Sequence, residues 1–145
     1  MDPAVQPIAS ARGARILHAT LVLGQIVVGA TFFYLLRAQG QPLGGGPLIG
    51  YVTAGLALVN LTAGLGLLRS RIPQRRMDQS PDDYWGTNEA RAPSIMIWAM
   101  IEGAGLLSWV GYFLTGGIVP AAVAVLSIVA LIMLRPSRLE GDEVP

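Results

Sequence analysis

The chain has 145 residues, enough for one domain; 52% are hydrophobic and 13% charged, against about 25% charged in an average soluble domain, which places it among membrane proteins. Its net charge of +1 gives no sign of a nucleic-acid partner, and its ten basic residues are all Arg, which removes a lysine Schiff base. With no Cys and one His, disulfides, thiolate metal sites, cysteine nucleophiles and a haem held between two histidines are excluded.

The N-terminal segment MDPAVQPIASARGAR is short and polar. The apolar run after it is too long for a signal-peptide core and lacks a small-residue cleavage site, so no cleaved signal is expected. The first membrane span is expected over about residues 16–36, preceded by Arg12 and Arg15 and closed by Arg37. Phe32, Phe33 and Tyr34 near its far end suit the headgroup region. The following RAQGQPLGGGP is rich in Gly and Pro and reads as a short external loop.

The second span is expected over about 48–68, and a long polar loop over 69–93 follows it. Pro and Ser in that loop argue against a stable helix throughout, and Tyr84 and Trp85 are placed to rest on the membrane surface. The third span, 94–114, carries a single ionisable side chain, Glu102, near its centre. Thr115-Gly116-Gly117 makes a tight turn into the fourth span, about 118–134, with Pro120 in its first turn. The tail RPSRLEGDEVP reads as polar and disordered.

In this four-span arrangement Arg37 lies on one side and the other nine arginines on the opposite side. The positive-inside rule then makes both termini and the long loop cytoplasmic. The expected fold is all-α: a single membrane domain, a four-helix bundle running up-down-up-down in the cell inner membrane. The lipid bilayer is its first partner, with a homo-oligomer or a larger membrane complex around it.

A carboxylate at the centre of a spanning helix costs roughly 2.5–3.5 kcal/mol on insertion scales. Gln25, Asn60, Glu102 and Ser127 each lie near the middle of their span, within about 3 Å of the midplane at 1.5 Å per residue. His18, Gln25 and Gly29 share one face of the first helix; Thr53, Ala57, Asn60 and Gly64 share one of the second; Trp98, Glu102, Gly105 and Trp109 share one of the third. One reading is structural: the amides of Gln25 and Asn60 close on the Glu102 carboxyl and fix the packing. The other is that Glu102 binds and releases a proton or another cation. His18, about one turn inside the cytoplasmic edge, is either a relay toward Gln25 and Glu102 or an interfacial residue bonded to a loop or headgroup. Trp98 and Trp109 read as packing residues. No nucleophile–base pair, metal cluster or phosphate loop marks an enzyme, and no cofactor is implied.

The segment IMIWAMIEGAGLLSWVGYFLTGG resembles the carboxylate-bearing helix of F- and V-type ATPase proteolipid (c-type) subunits. The matching positions are Glu102, Gly103, Gly105 and Leu106, and the resemblance implies Glu102 as a proton or sodium site. Those four-helix proteolipids carry the acid on the last helix, whereas here it is on the third. The whole chain also resembles uncharacterised bacterial four-span inner-membrane proteins. That likeness rests on His18 and Gln25 in the first helix, Glu102-Gly103 in the third and Arg135-Pro136 after the fourth, and it implies no activity.

Overall fold

The computed structural model describes residues 10–141. Among them every regular element is helical: α1 (Ala11–Gln39), α2 (Pro47–Ala63), α3 (Pro81–Gly86), α4 (Asn88–Thr115), α5 (Ile118–Met133) and α6 (Pro136–Glu140). α2 runs on through a π-helical turn, Gly64–Leu68, and a 3-10 turn, Arg69–Arg71. α1, the continuous run Pro47–Arg71 and α4 are each long and apolar enough to cross a membrane; α5 is a shorter apolar helix.

Local chemistry sets the ends. The Ser10 hydroxyl accepts from the Gly13 N–H at 3.1 Å, and the Asp82 carboxylate accepts from the Ala11 N–H at 2.9 Å. The first turn of α1 is thus capped partly by α3, far away in sequence. Gly40 (φ 73°) and Gly116 (φ 64°) end α1 and α4 in the left-handed region, which glycine enters without a Cβ penalty. Ser80 and Asp83 cap α3 reciprocally: the Asp83 N–H donates to the Ser80 hydroxyl, which donates to the Asp83 carboxylate at 2.6 Å. The π turn begins where the Gly64 N–H is shared between the carbonyls of Asn60 and Leu61.

α4 is the helix the others are built around. Ala90, Ile97, Trp98, Ile101, Ala104 and Gly105 are all buried along it. α2 and α5 pack along α4, α1 packs on it less extensively, and α2 and α5 also touch. α1 and α2 share no extensive contact, so they lie on different flanks of the α4–α5 pair. Small residues bring the backbones close. A Cβ at Gly29 would overlap the Trp109 ring, one at Gly105 the Gln25 amide, and one at Gly111 the Thr53 side chain. Such sockets replace a hydrophobic driving force, which lipid does not supply between helices. The outer faces are apolar: Leu23 and Val27 on α1, Leu56 and Val59 on α2, and Val125 and Val129 on α5 are exposed.

α4 begins six residues before the expected third span, and Pro93 sits inside it. The larger departure is at the polar end. The part of the loop 69–93 around Tyr84 and Trp85 is expected at the membrane surface and the tail 135–145 is expected to be disordered; residues 142–145 of that tail lie outside the described residues. Instead α3 and α6 fold against the bundle, and Tyr84 (1% exposed) and Trp85 (0%) belong to the core. The Trp85 indole and the Tyr84 phenol bury more apolar area packed against helices than lying in a wet interface.

Candidate functional site

Two polar layers lie one above the other along α4. In the middle of the bundle Gln25 is fully buried over Gly105. Its Nε2 donates to the carbonyls of Ile101 (3.4 Å) and Glu102 (3.3 Å). From α2, the Asn60 Nδ2 donates to the carbonyl of Met100 at 3.0 Å. The two amides therefore grip three successive carbonyls of α4, using the second lone pair that a helical carbonyl keeps. The Ser127 hydroxyl stays on its own helix and donates to the Val123 carbonyl at 3.1 Å.

Glu102 stands apart from this arrangement. Its side chain is half-buried and makes no hydrogen bond or ion pair among the described residues. Its nearest landmark is Gly24, where a Cβ would sit 3.7 Å from Oε1. The expected closure of Gln25 and Asn60 on the carboxyl is therefore not what the geometry gives. Glu102 is offset by about 60° around the helix from Gly105, the residue that faces Gln25. That turns its carboxyl to the flank, while the amides meet backbone first. Among the described residues Gln25 Oε1, Ser108 Oγ and Trp109 Nε1 are buried without a partner.

The second layer, at the base of the bundle, is richer. His18 is buried, and its Nε2 lies 2.8 Å from the carbonyl of Leu131. A carbonyl only accepts, so Nε2 carries the proton. The imidazole meets the Trp98 ring edge-on at 5.2 Å, and Trp98 Nε1 donates to the carbonyl of Leu134 at 2.9 Å. Trp85 packs 5.7 Å from Trp98 and donates from Nε1 to Glu140 Oε1 at 2.7 Å. The other carboxylate oxygen of Glu140 accepts from Arg15 Nη2 at 3.0 Å; the acid side chain is 0% exposed and the arginine 56%. The Arg75 Nε donates to the Glu140 backbone carbonyl at 3.1 Å, and its Nη1 to the Gln79 carbonyl at 2.9 Å. One carboxylate thus ties together the start of α1, the long loop and the segment after α5.

Of this base layer His18 and Trp98 were read from sequence as lying within the spans, Trp85 only as a surface residue and Arg15 only as a flanking charge, and Glu140 was not singled out. His18 is bonded to the backbone of α5 and not to a loop. Glu140 was overlooked because its helix spans only Pro136–Glu140, too short for hydrophobic periodicity. Its bounds were nonetheless written: a Pro in the first turn and Gly141 directly after the end are the usual start and stop residues.

Tyr84 lies outside the apolar helices and donates its hydroxyl to the Pro73 carbonyl at 2.9 Å. Burial, and then the nearby Glu140 carboxylate, push its hydroxyl from the usual 10.0 up to about 12. The raised value belongs to an acid that stays neutral when folded, so its contribution is complete below pH about 10. It is lost as the pH rises from there through about 12. Alkaline unfolding monitored in that window is expected to be blunted by Tyr84→Phe; an unchanged alkaline midpoint would contradict it.

Among the described residues no group of three His, Asp or Glu side chains is placed to hold a metal ion. Length and composition of the apolar helices mark a helical membrane protein, one whose amide, imidazole and indole donors bond to helix backbone and to one buried acid. Comparison with protein-family models, with curated proteins and with solved structures finds no match.

Proposed function

We propose that this chain is a small multi-pass protein of the cell inner (cytoplasmic) membrane, acting as a structural or accessory subunit of a membrane complex and not as an enzyme. In this reading the helices α1, α2, α4 and α5 cross the bilayer up-down-up-down, with the base layer and both termini on the cytoplasmic side. The arginine distribution supports that orientation. The ascending order of the α1–α4 contacts, His18 with Trp98, Gln25 with Glu102 and Phe32 with Phe113, sets α1 and α4 parallel, which supports the up-down-up-down path but not its orientation. At 16 residues, α5 reaches about 24 Å and needs local thinning or flanking residues to complete its crossing.

The observation that carries the structural reading is where the polar groups are spent. Gln25, Asn60 and His18 bond to main-chain carbonyls of a neighbouring helix, and Trp98 to that of Leu134, which caps α5. A conducting site would aim such groups at a passage. Glu102→Gln is then expected to leave membrane level and oligomeric size unchanged, read by quantitative blotting and by size exclusion in detergent.

One observation favours a second reading, a proton- or cation-coupled transport element with Glu102 as the ion site. The Glu102 carboxyl has no partner among the described residues, and an acid in an apolar span needs one. A neighbouring copy or subunit, or a bound ion, would supply it. Carbodiimide labelling of Glu102 that slows at high pH, together with loss of ion flux in Glu102→Gln proteoliposomes, would replace the structural reading by this one.

A further inference from the structure

The Glu102 carboxyl borders a flank of α4 that the chain leaves open. α1, α2 and α5 pack on the other sides of α4, but α1 and α2 share no extensive contact and do not close over it. The strip between them stays exposed: Met96, Ala99, Gly103 and Val110. At 3.6 residues per turn these four lie within about 60° of one another, and Glu102 lies about 60° from Ala99. Gly24 of α1 stands at the Glu102 edge of the strip, and Asn60 of α2 stands beyond Gly103 at the other. Ala99 and Gly103, one turn apart, carry almost no side chain, so another helix can approach closely there. Lipid tails offer a carboxyl no hydrogen bond. Nor does Thr20, one turn from Gly24, since its hydroxyl gives its proton to the Ile16 carbonyl at 2.9 Å.

We propose that a second copy of this chain covers the strip, related by a two-fold axis along the membrane normal, with the two Glu102 carboxyls hydrogen-bonded to each other in their neutral form. Two copies inserted the same way hold every residue at the same depth, so an axis through the strip brings Glu102 to Glu102. A protonated carboxyl carries one donor and an accepting oxygen. Two of them answer each other with two hydrogen bonds, whereas two ionised ones repel. A different subunit would have to bring a matching group to this depth; a second copy brings one by symmetry. The proposal rests on the membrane reading above and names the neighbour that Glu102 lacks. It also accounts for an unchanged oligomeric size in Glu102→Gln, because a primary amide is likewise donor and acceptor.

The test uses the full chain. Single cysteines enter a sequence that has none: Ala99→Cys beside the axis, and Val125→Cys on the exposed face of α5 as control. Oxidation in native membranes is expected to join Ala99→Cys chains in pairs and to leave Val125→Cys chains single. Sedimentation equilibrium in density-matched detergent is expected to show monomer and dimer in exchange. Glu102→Gln should leave that equilibrium nearly unchanged, and Glu102→Leu should weaken it roughly tenfold, the scale of hydrogen bonds between model membrane helices. Leucine suits an apolar span, so loss of the dimer would not reflect failed insertion. Equal cross-linking at both cysteines, a monomer at every concentration, or a dimer indifferent to Glu102→Leu would overturn the pair. Cross-linking of Ala99→Cys to another protein would assign the strip to a different subunit and overturn the second copy. Equal weakening by Glu102→Gln and Glu102→Leu would show that the ionised acid is needed, and so a bound cation, and would overturn the neutral carboxyl pair. Carbonate extraction of native membranes separates the two levels. A chain that resists extraction but stays monomeric defeats this inference alone, and an extractable chain defeats the membrane reading beneath it.

Discussion

Gly29→Leu is expected to unseat α1 from α4. The position has no room for even a Cβ, because the six-membered ring of Trp109 already occupies that space. Overpacking a close helix contact costs typically about 1–3 kcal/mol, and more where the obstructing group is a rigid ring. Phe32, which stacks on Phe113 at 4.6 Å one turn further along, would be carried out of register with it. The expected result is a lower thermal midpoint in detergent and an altered tryptophan emission spectrum. Two companions make it specific. Trp109→Ala in the same chain should restore part of the loss, since the pair shares one space. Gly103→Leu, whose Cβ would meet only Asn60 Nδ2 at 3.8 Å, should be tolerated far better. Equal damage from Gly29→Leu and Gly103→Leu would show that glycine is needed at 29 for some reason other than the Trp109 socket.

The second large effect is expected at Glu140. Glu140→Leu leaves the buried Trp85 N–H without an acceptor and releases Arg15. An unmet buried donor costs about 1–3 kcal/mol; the half-exposed arginine adds little, because water takes it back. The asymmetry of hydrogen-bond deletion supplies the check: removing both partners costs less than removing one. Glu140→Leu should therefore unfold the base at lower denaturant and expose the loop around α3 to protease, and Glu140→Leu/Trp85→Phe should recover much of the difference. If the double variant is as weak as the single one, the carboxylate stabilises the base mainly through Arg15.

Much of the bundle could be read from the chain because bilayer-length apolar runs are a strong signal. The expected ends of the first span fell within α1, and those of the fourth matched α5 to within a residue. Gln25 and Asn60 were found for a sound reason, since an amide in an apolar span must bond across to a neighbour. Their partner could not be read. Whether an amide meets a carboxyl or a carbonyl depends on about 60° of rotation around α4, which spacing along one helix does not define. The base was less legible still. Ser80 and Pro81 announce a helix start, and Pro136 with Gly141 bracket another, but elements of five or six residues carry no periodicity. Their burial follows from tertiary contacts with Trp98 and Arg15 that no local pattern encodes. The π turn after Asn60 likewise has no marker beyond Gly64 and Gly66.

The position of Glu140 has a bearing on how the protein is made. The ribosome completes all four apolar helices before it reaches this acid, so Trp85 and Arg15 are synthesised long before the group that joins them. Until then the base of the bundle lacks the carboxylate that joins Trp85 to Arg15. A chain interrupted after α5 would keep the Trp85 N–H without its acceptor and Arg15 without its ion pair.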